Sequence, residues 1–138
     1  MSFRVPAGLL VSNINAYSAE GYARKRTFHQ DGRRFLKQLA VALTLPNSSF
    51  DLRRNEAGIA VSGEVTLHSD TLYVQLYESA VCAGVSVLYR RCRGRRDYCG
   101  ETNHFVAAAD LVEPARLERF VKELKTLGGI VQDLRLAA

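Results

Sequence analysis

The pattern of apolar and polar positions is helical in the first third of this 138-residue chain. A capping-box pair, Thr27 and Gln30, is followed by apolar residues at helical spacing, and Pro46 stops the run. The apolar stripe consists of Phe35, Leu36, Leu39, Ala40 and Leu43. The pattern predicts one amphipathic helix that opens near Thr27 and ends before Pro46.

Between residues 49 and 89 the pattern alternates, which is typical of half-buried strands. Turn sequences at 55–58 and 68–71 and a polar loop at 78–84 separate the runs. The predicted inward positions are Phe50, Leu52, Ile59, Val61, Val65, Leu67, Leu72, Val74, Leu76, Val85, Val87 and Tyr89. The pattern predicts an antiparallel meander of about four strands whose second face is polar and aromatic.

The last third is helical again. Asp110 and Glu113 resemble a cap, Pro114 suits a first turn, and the apolar stripe ends at Gly128 and Gly129. The stripe consists of Leu117, Phe120, Val121, Leu124 and Leu127. We therefore predict a second amphipathic helix with charged pairs on its exposed side.

These elements predict a single α+β domain over residues 1–138, with one helix before the meander, one after it, and both packed on one face of the sheet. Residues 1–20 have no clear periodicity, and we predict an N-terminal arm there. Residues 129–138 are predicted to form a loose tail.

Composition places the chain among soluble globular proteins, because 47% of its residues are hydrophobic and 24% are charged. It contains neither a long apolar run nor a secretory signal, so we predict a cytoplasmic protein without a membrane partner. Three cysteines do not form a disulfide framework, and their spacing with His104 lacks a tight zinc-ligand pair. We expect reduced thiols, no metal and no cofactor.

The net charge of +5 is unevenly distributed. Residues 21–48 carry six basic residues and one acid, residues 49–84 carry two basic residues and five acids, and residues 85–108 carry five arginines and two acids. Two basic blocks therefore flank an acidic middle. This distribution suits an anionic partner, which is nucleic acid in the first place and an acidic protein surface in the second.

Arginines and tyrosines provide the candidate binding residues, since guanidinium groups contact phosphates and tyrosine rings stack on bases. The candidates are Arg90, Arg91, Arg93, Arg95 and Arg96, with Arg24, Lys25 and Arg26 from the first block and Tyr73, Tyr77 and Tyr98. We predict a nucleic-acid-binding module. Alternatively, these arginines pair with Asp97, Glu101 and Glu64 and only keep the sheet edge soluble.

Two further functions fit the same residues. His104 near Asp97 and Glu101 would supply a general base beside arginines for cleavage of a phosphodiester. A sheet face with Tyr73 and Tyr77 would also suit a protein-interaction or homodimer interface, because tyrosine and arginine are favoured there.

The order of elements resembles an enlarged double-stranded-RNA-binding domain, which has one helix, three strands and one helix. That family has a lysine-rich motif at the start of its last helix, where this chain reads EPARLER, so the family's function is not transferred. The phrases EVTLHSDTLYVQ and GRRDYCGETNHF resemble small uncharacterised proteins of proteobacterial plasmids and mobile elements. This second resemblance covers the chain from Arg33 onward and implies a setting without an activity.

Overall fold

A computed structural model describes residues 3–79 and 84–130 of the chain. The two helices are α1 (Ala19–Ala42) and α2 (Pro114–Leu127). The strands are β1 (Phe50–Asn55), β2 (Glu64–Ser69), β3 (Leu72–Glu78), β4 (Val85–Arg91) and β5 (His104–Ala107). The predicted α+β class and its helix–meander–helix order are confirmed.

The strands form one antiparallel sheet in the order β1-β2-β3-β4-β5, so every strand pairs with its neighbours in sequence. Leu67 lies opposite Val74, and Val74 lies opposite Tyr89. Because side chains alternate between the two sides of a strand, this row fixes one face of the sheet, and His68, Tyr73 and Arg90 fix the other.

Both helices cover the face that contains Leu67, Val74 and Tyr89. In α1, a Cβ atom at Gly32 would lie 3.1 Å from Cγ2 of Val65. In α2, the ring of Phe120 packs edge-on against Tyr89 with the centroids 5.1 Å apart. The hydroxyl of Tyr89 also donates a 2.6 Å hydrogen bond to Glu123. The core therefore lies between the helices and this side of the sheet, which we call the helix-covered face.

The N-terminal segment differs from the predicted arm, because its apolar side chains are part of the core. Leu9 and Ile14 are fully buried. The carboxylate of Glu78 accepts the backbone N–H groups of Asn13 and Ile14 at 2.6 and 2.9 Å, which fixes the segment to the end of β3. Residues 131–138 of the predicted tail lie outside the described residues.

Helix α1 begins eight residues before the predicted opening at Thr27. Ser18 caps it by accepting the N–H of Gly21 at 3.0 Å. The candidate binding residues Arg24, Lys25 and Arg26 are therefore part of α1. Lys25 and His29 occupy the buried stripe of this first half, so the stripe has no apolar periodicity there.

The second predicted strand was wrong over residues 59–63, because β2 begins at Glu64. Ile59 and Val61 are exposed. The backbone there bonds to α1 instead of a strand, since Gly58 O accepts Lys25 Nζ at 2.9 Å and Ser62 O lies 2.8 Å from His29 Nε2. Gly63 has φ +72, and a Cβ atom on it would lie 2.1 Å from Asn55 O, so this turn requires glycine.

The sheet has a fifth strand, β5, beyond the predicted meander of about four strands. Arg90 and Arg91 belong to β4, and His104 opens β5. Only residues 92–103 form the connection, and we call this segment the arginine loop.

Candidate functional site on the helix-free face

The second face of the sheet is covered by neither helix, and the arginine loop lies against one end of it. We call it the helix-free face. The strand register places on it Asp51, Arg53, Asn55, Glu64, Thr66, His68, Tyr73, Gln75, Tyr77, Ser86, Leu88, Arg90, Phe105 and Ala107. The polar and aromatic character predicted for this face is therefore present.

Arg90 fixes the arginine loop to the face. Its side chain is only 6% exposed, and its Nη2 atom donates a 2.6 Å hydrogen bond to Tyr98 O. The guanidinium carbon lies 4.0 Å from the ring centroid of Tyr73, within the range of a cation–π contact. Gly100 is packed so closely that a Cβ atom there would lie 2.2 Å from Arg90 Nε. Arg90 and one side of the Tyr73 ring are thus occupied within the protein.

His68 provides a second anchor for the loop. It is fully buried, with Nε2 2.9 Å from Gly94 O and Nδ1 2.5 Å from a guanidinium nitrogen of Arg53. The pairing assigns the tautomer: Nε2–H donates to the carbonyl and Nδ1 accepts from Arg53. Burial lowers the pKa of His68, and the neighbouring Arg53 and Arg90 act in the same direction.

Asp97 closes the loop on itself. Its carboxylate accepts the backbone N–H groups of Gly100 and Arg93, both at 2.9 Å, and of Cys99 at 3.2 Å. These hydrogen bonds lower the pKa of Asp97, with Gly100 contributing most. The role of Asp97 in the structure is to shape the loop.

The five clustered arginines have different environments. Besides the buried Arg90, Arg95 bonds to Asp70 at 3.1 Å and to Ser48 O. Arg91 lies 3.7 Å from Glu101, with about half of each side chain exposed. Arg93 and Arg96 are exposed, and neither forms an ion pair with a described residue. The predicted pairing with Glu101 is present, whereas Glu64 binds Gln75 and Asp97 binds backbone.

Two aromatic rings project from the helix-free side of the molecule. Tyr98, at the tip of the arginine loop, and Phe105, in the edge strand β5, are each 59% exposed. The Tyr98 ring also contacts His68 edge-on and lies 5.4 Å from the guanidinium carbon of Arg53. The sequence analysis did not include Phe105 or Arg53 among the candidate binding residues. The alternation along β1 nevertheless indicates that Arg53 and Leu52 point to different faces of the sheet.

The candidates of the first basic block, Arg24, Lys25 and Arg26, do not join this face, because Arg24 and Lys25 contact residues near the opposite end of the sheet. Lys25 is buried and bonds to Gly58 O, and Arg24 donates to Asn13 O at 3.1 Å. Arg26 is exposed on the same helix. These contacts lie near the start of β2. The arginine loop instead contacts the turn that follows the end of β2, where Arg95 bonds to Asp70.

The catalytic candidates lie in separate surroundings. His104 stacks on Tyr89 on the helix-covered face, with the centroids 5.3 Å apart, while Asp97 shapes the arginine loop. Glu101 contacts Arg91. No hydrogen bond or ion pair between described residues joins Asp97 to His104.

The thiols and possible metal ligands are dispersed. Cys92 is buried with its Sγ atom 3.4 Å from Ser69 O, Cys99 is exposed, and Cys82 lies outside the described residues. No group of three His, Cys, Asp or Glu residues in ranges 3–79 and 84–130 is arranged to hold a metal ion. In the same ranges, neither helix is long and apolar enough to cross a membrane.

Comparisons with family models, with curated proteins and with solved structures found no match for this chain.

Proposed function

We propose that this protein binds single-stranded nucleic acid across its helix-free face. The observation that carries the proposal is the pair of exposed aromatic rings, Tyr98 and Phe105, on the sheet face that neither α1 nor α2 covers. Aromatic side chains on an open sheet stack on bases of any sequence, because every base has a π-face. A single strand suits them better than a duplex, whose bases are already stacked on each other.

The charges beside the rings favour a polyanion. Arg93 and Arg96 are exposed on the loop that carries Tyr98, and Arg53 lies beside the Tyr98 ring with its side chain 38% exposed and 3.5 Å from Asp51. Asp51 and Asp97 reduce this positive field, although the Asp97 carboxylate is engaged by backbone N–H groups. We therefore assign phosphate contacts to Arg53 and to two arginines of the cluster, Arg93 and Arg96.

This assignment predicts the salt dependence of binding. Three phosphate contacts on a single strand give a log–log slope of about −2, whereas five contacts would give about −3.5. The measurement is fluorescence anisotropy of a labelled oligothymidylate of about 12 nucleotides, within the ~4–16 nucleotides typical of such sites, over a series of NaCl concentrations. A slope near zero, or no binding at low salt, would contradict the proposal.

Variants at the two rings test the stacking surface. Phe105→Ala and Tyr98→Ala should each weaken binding by about 1–3 kcal/mol. The matched control is Tyr22→Ala, which removes a tyrosine that is 49% exposed on α1. If all three variants bind equally, the helix-free face is not the binding surface.

Charge variants provide an independent control. Arg93→Gln combined with Arg96→Gln should reduce the slope by about 1.4, while Arg33→Gln combined with Lys37→Gln on α1 should not change it. A sizing column on the same proteins tests the homodimer alternative. A dimer that Phe105→Ala converts to monomers would assign this face to self-association instead.

A further inference from the structure

An open groove runs between the second half of α1 and the edge strand β1. Its volume is about 540 Å³. The lining is apolar along Ala40, Val41, Leu45, Phe50 and Leu52, with Arg33 and Lys37 of α1 also lining it. Val41 is 77% exposed, so an apolar surface faces solvent at this place.

Strand β1 offers a second kind of contact in the same groove. It is the first strand of the sheet and pairs only with β2 among the described strands. One row of backbone N–H and C=O groups along Phe50–Asn55 is consequently available to another extended chain. Strand addition of this kind draws affinity from main-chain hydrogen bonds and specificity from side-chain pockets.

The charges beside the edge indicate what an added strand should carry. Arg33 and Lys37 are exposed along α1, and Arg54 projects from β1 on the same side of the sheet as Leu52. Glu56 pairs with Arg54 at 2.9 Å, whereas Arg33 and Lys37 form no ion pair with any residue in ranges 3–79 and 84–130. Asp51, the acid in the lining, is already contacted by Arg53 and Arg95.

A second copy of the chain fits this edge poorly. In an antiparallel two-fold pair, a register centred on Arg53 would place Arg53 opposite its own counterpart, and like charges directly opposite each other are destabilising. A register centred on Leu52 would place Arg54 opposite Phe50, beside the Arg33 and Lys37 of the partner. Both registers bring positive charges together.

We propose that β1 and α1 form a docking site for an extended peptide in which acidic and apolar residues share one face. The peptide adds to β1 as a sixth strand. Its apolar side chain packs on Leu52, Phe50 and Val41, and its carboxylates meet Arg33 and Lys37. Because this site is separate from the helix-free face, both partners can bind at the same time.

The test titrates the protein with a fluorescein-labelled peptide that repeats Leu-Thr-Glu-Thr, which puts Leu and Glu on one face of a strand, and with an analogue that repeats Leu-Thr-Lys-Thr. The acidic peptide should bind at least about tenfold more tightly, since complementary charge sets partner choice. Amide chemical shifts in a ¹⁵N-labelled sample should move along Phe50–Asn55. The shifts show where the peptide binds and the titration shows how tightly. Together they distinguish docking at β1 from non-specific attraction of an acidic peptide to a basic protein.

Two double variants complete the test. Arg33→Glu with Lys37→Glu should weaken binding of the acidic peptide at least about tenfold. Arg93→Glu with Arg96→Glu changes the net charge by the same amount at a different site and should not weaken binding of this peptide. Equal affinities in the two variants, or shifts that avoid β1, would overturn the proposal. Displacement of the peptide by the oligothymidylate would also overturn it and assign the groove to nucleic acid.

Discussion

The two faces of the sheet are buried by different means. On the helix-covered face, aliphatic side chains such as Leu67, Val74 and Leu76 are fully buried beneath the helices and the N-terminal segment. On the helix-free face, His68 and Arg90 are also buried, but under a loop that they themselves hold by hydrogen bonds. The difference teaches that a basic residue on the helix-free face, such as Arg90, can stabilise the fold while nearby basic residues, such as Arg93 and Arg96, remain exposed.

Consecutive residues of β4 illustrate the difference. Tyr89 points to the helix-covered face and bonds to Glu123 of α2, whereas Arg90 points to the other face and bonds to the arginine loop. Charge alone would assign Arg90 to binding with Arg93 and Arg96. Its contacts assign it to holding the loop that carries Tyr98.

The largest expected effect compares a phenylalanine from each face. Phe120→Ala removes a ring that is 4% exposed and packed on Tyr89, and it should lower the free energy of unfolding by about 3–5 kcal/mol. Phe105→Ala removes a 59% exposed ring and should change it by only about 0.5 kcal/mol. Urea unfolding measures both. Similar losses in the two variants would mean that the faces are not differently packed.

The second effect concerns the loop anchor. Arg90→Gln should cost about 1.5–3 kcal/mol, because it leaves the Tyr98 carbonyl without its charged donor. It should also speed trypsin cleavage at Arg93 and Arg96. Arg119→Gln is the control, since Arg119 is an exposed arginine on α2. A loop that resists trypsin equally in both variants would show that Arg90 does not hold it.

The third effect is a pH dependence of stability from the two buried histidines. Burial lowers the pKa of His29 and His68 below the ordinary 6.5, so the unfolded chain binds protons more readily than the folded one. Stability is therefore full above pH 6.5 and falls as pH decreases toward the folded-state pKa values, by at most about 1.4 kcal/mol per pH unit for each histidine.

Urea unfolding between pH 7.5 and 5 measures this slope, and His68→Gln should reduce it. The slope is the relevant readout, because the substitution also removes the hydrogen bonds to Gly94 and Arg53 and lowers stability at every pH. A stability that is constant or rises on acidification over this range would contradict the assignment of two neutral, buried histidines.

The fold was predictable where burial is apolar and periodic. Alternation identified the middle strands, and the stripe from Leu117 to Leu127 identified α2 with its glycine end. The first half of α1 was missed because Lys25 and His29 take buried positions by bonding to Gly58 and Ser62. Strand β5 was missed because four residues are too short to establish a period.

The candidate site was predictable as composition but not as arrangement. The sequence indicates that arginines and tyrosines are concentrated around residues 90–98, yet it does not say which of them bind each other. Arg90 on Tyr73 and Arg95 on Asp70 are contacts between residues 17 and 25 positions apart. The folded structure is needed to show that Arg90 and Arg95 are engaged within the protein whereas Arg93 and Arg96 are exposed.

The smallest expected effect sharpens the comparison at the neighbour of Arg90. Arg91→Gln should change the free energy of unfolding by no more than about 0.5 kcal/mol, because its 3.7 Å pair with Glu101 is half-exposed and such pairs contribute little. Arg91 is opposite Leu72 and so lies on the helix-covered side. Arg91→Gln should therefore leave the salt slope of oligonucleotide binding unchanged, in contrast to Arg93→Gln with Arg96→Gln. If Arg91→Gln reduced the slope by about 0.7, the value expected for one lost phosphate contact, phosphates would contact arginines on both sides of the sheet. The helix-free face would then not be the specific binding surface.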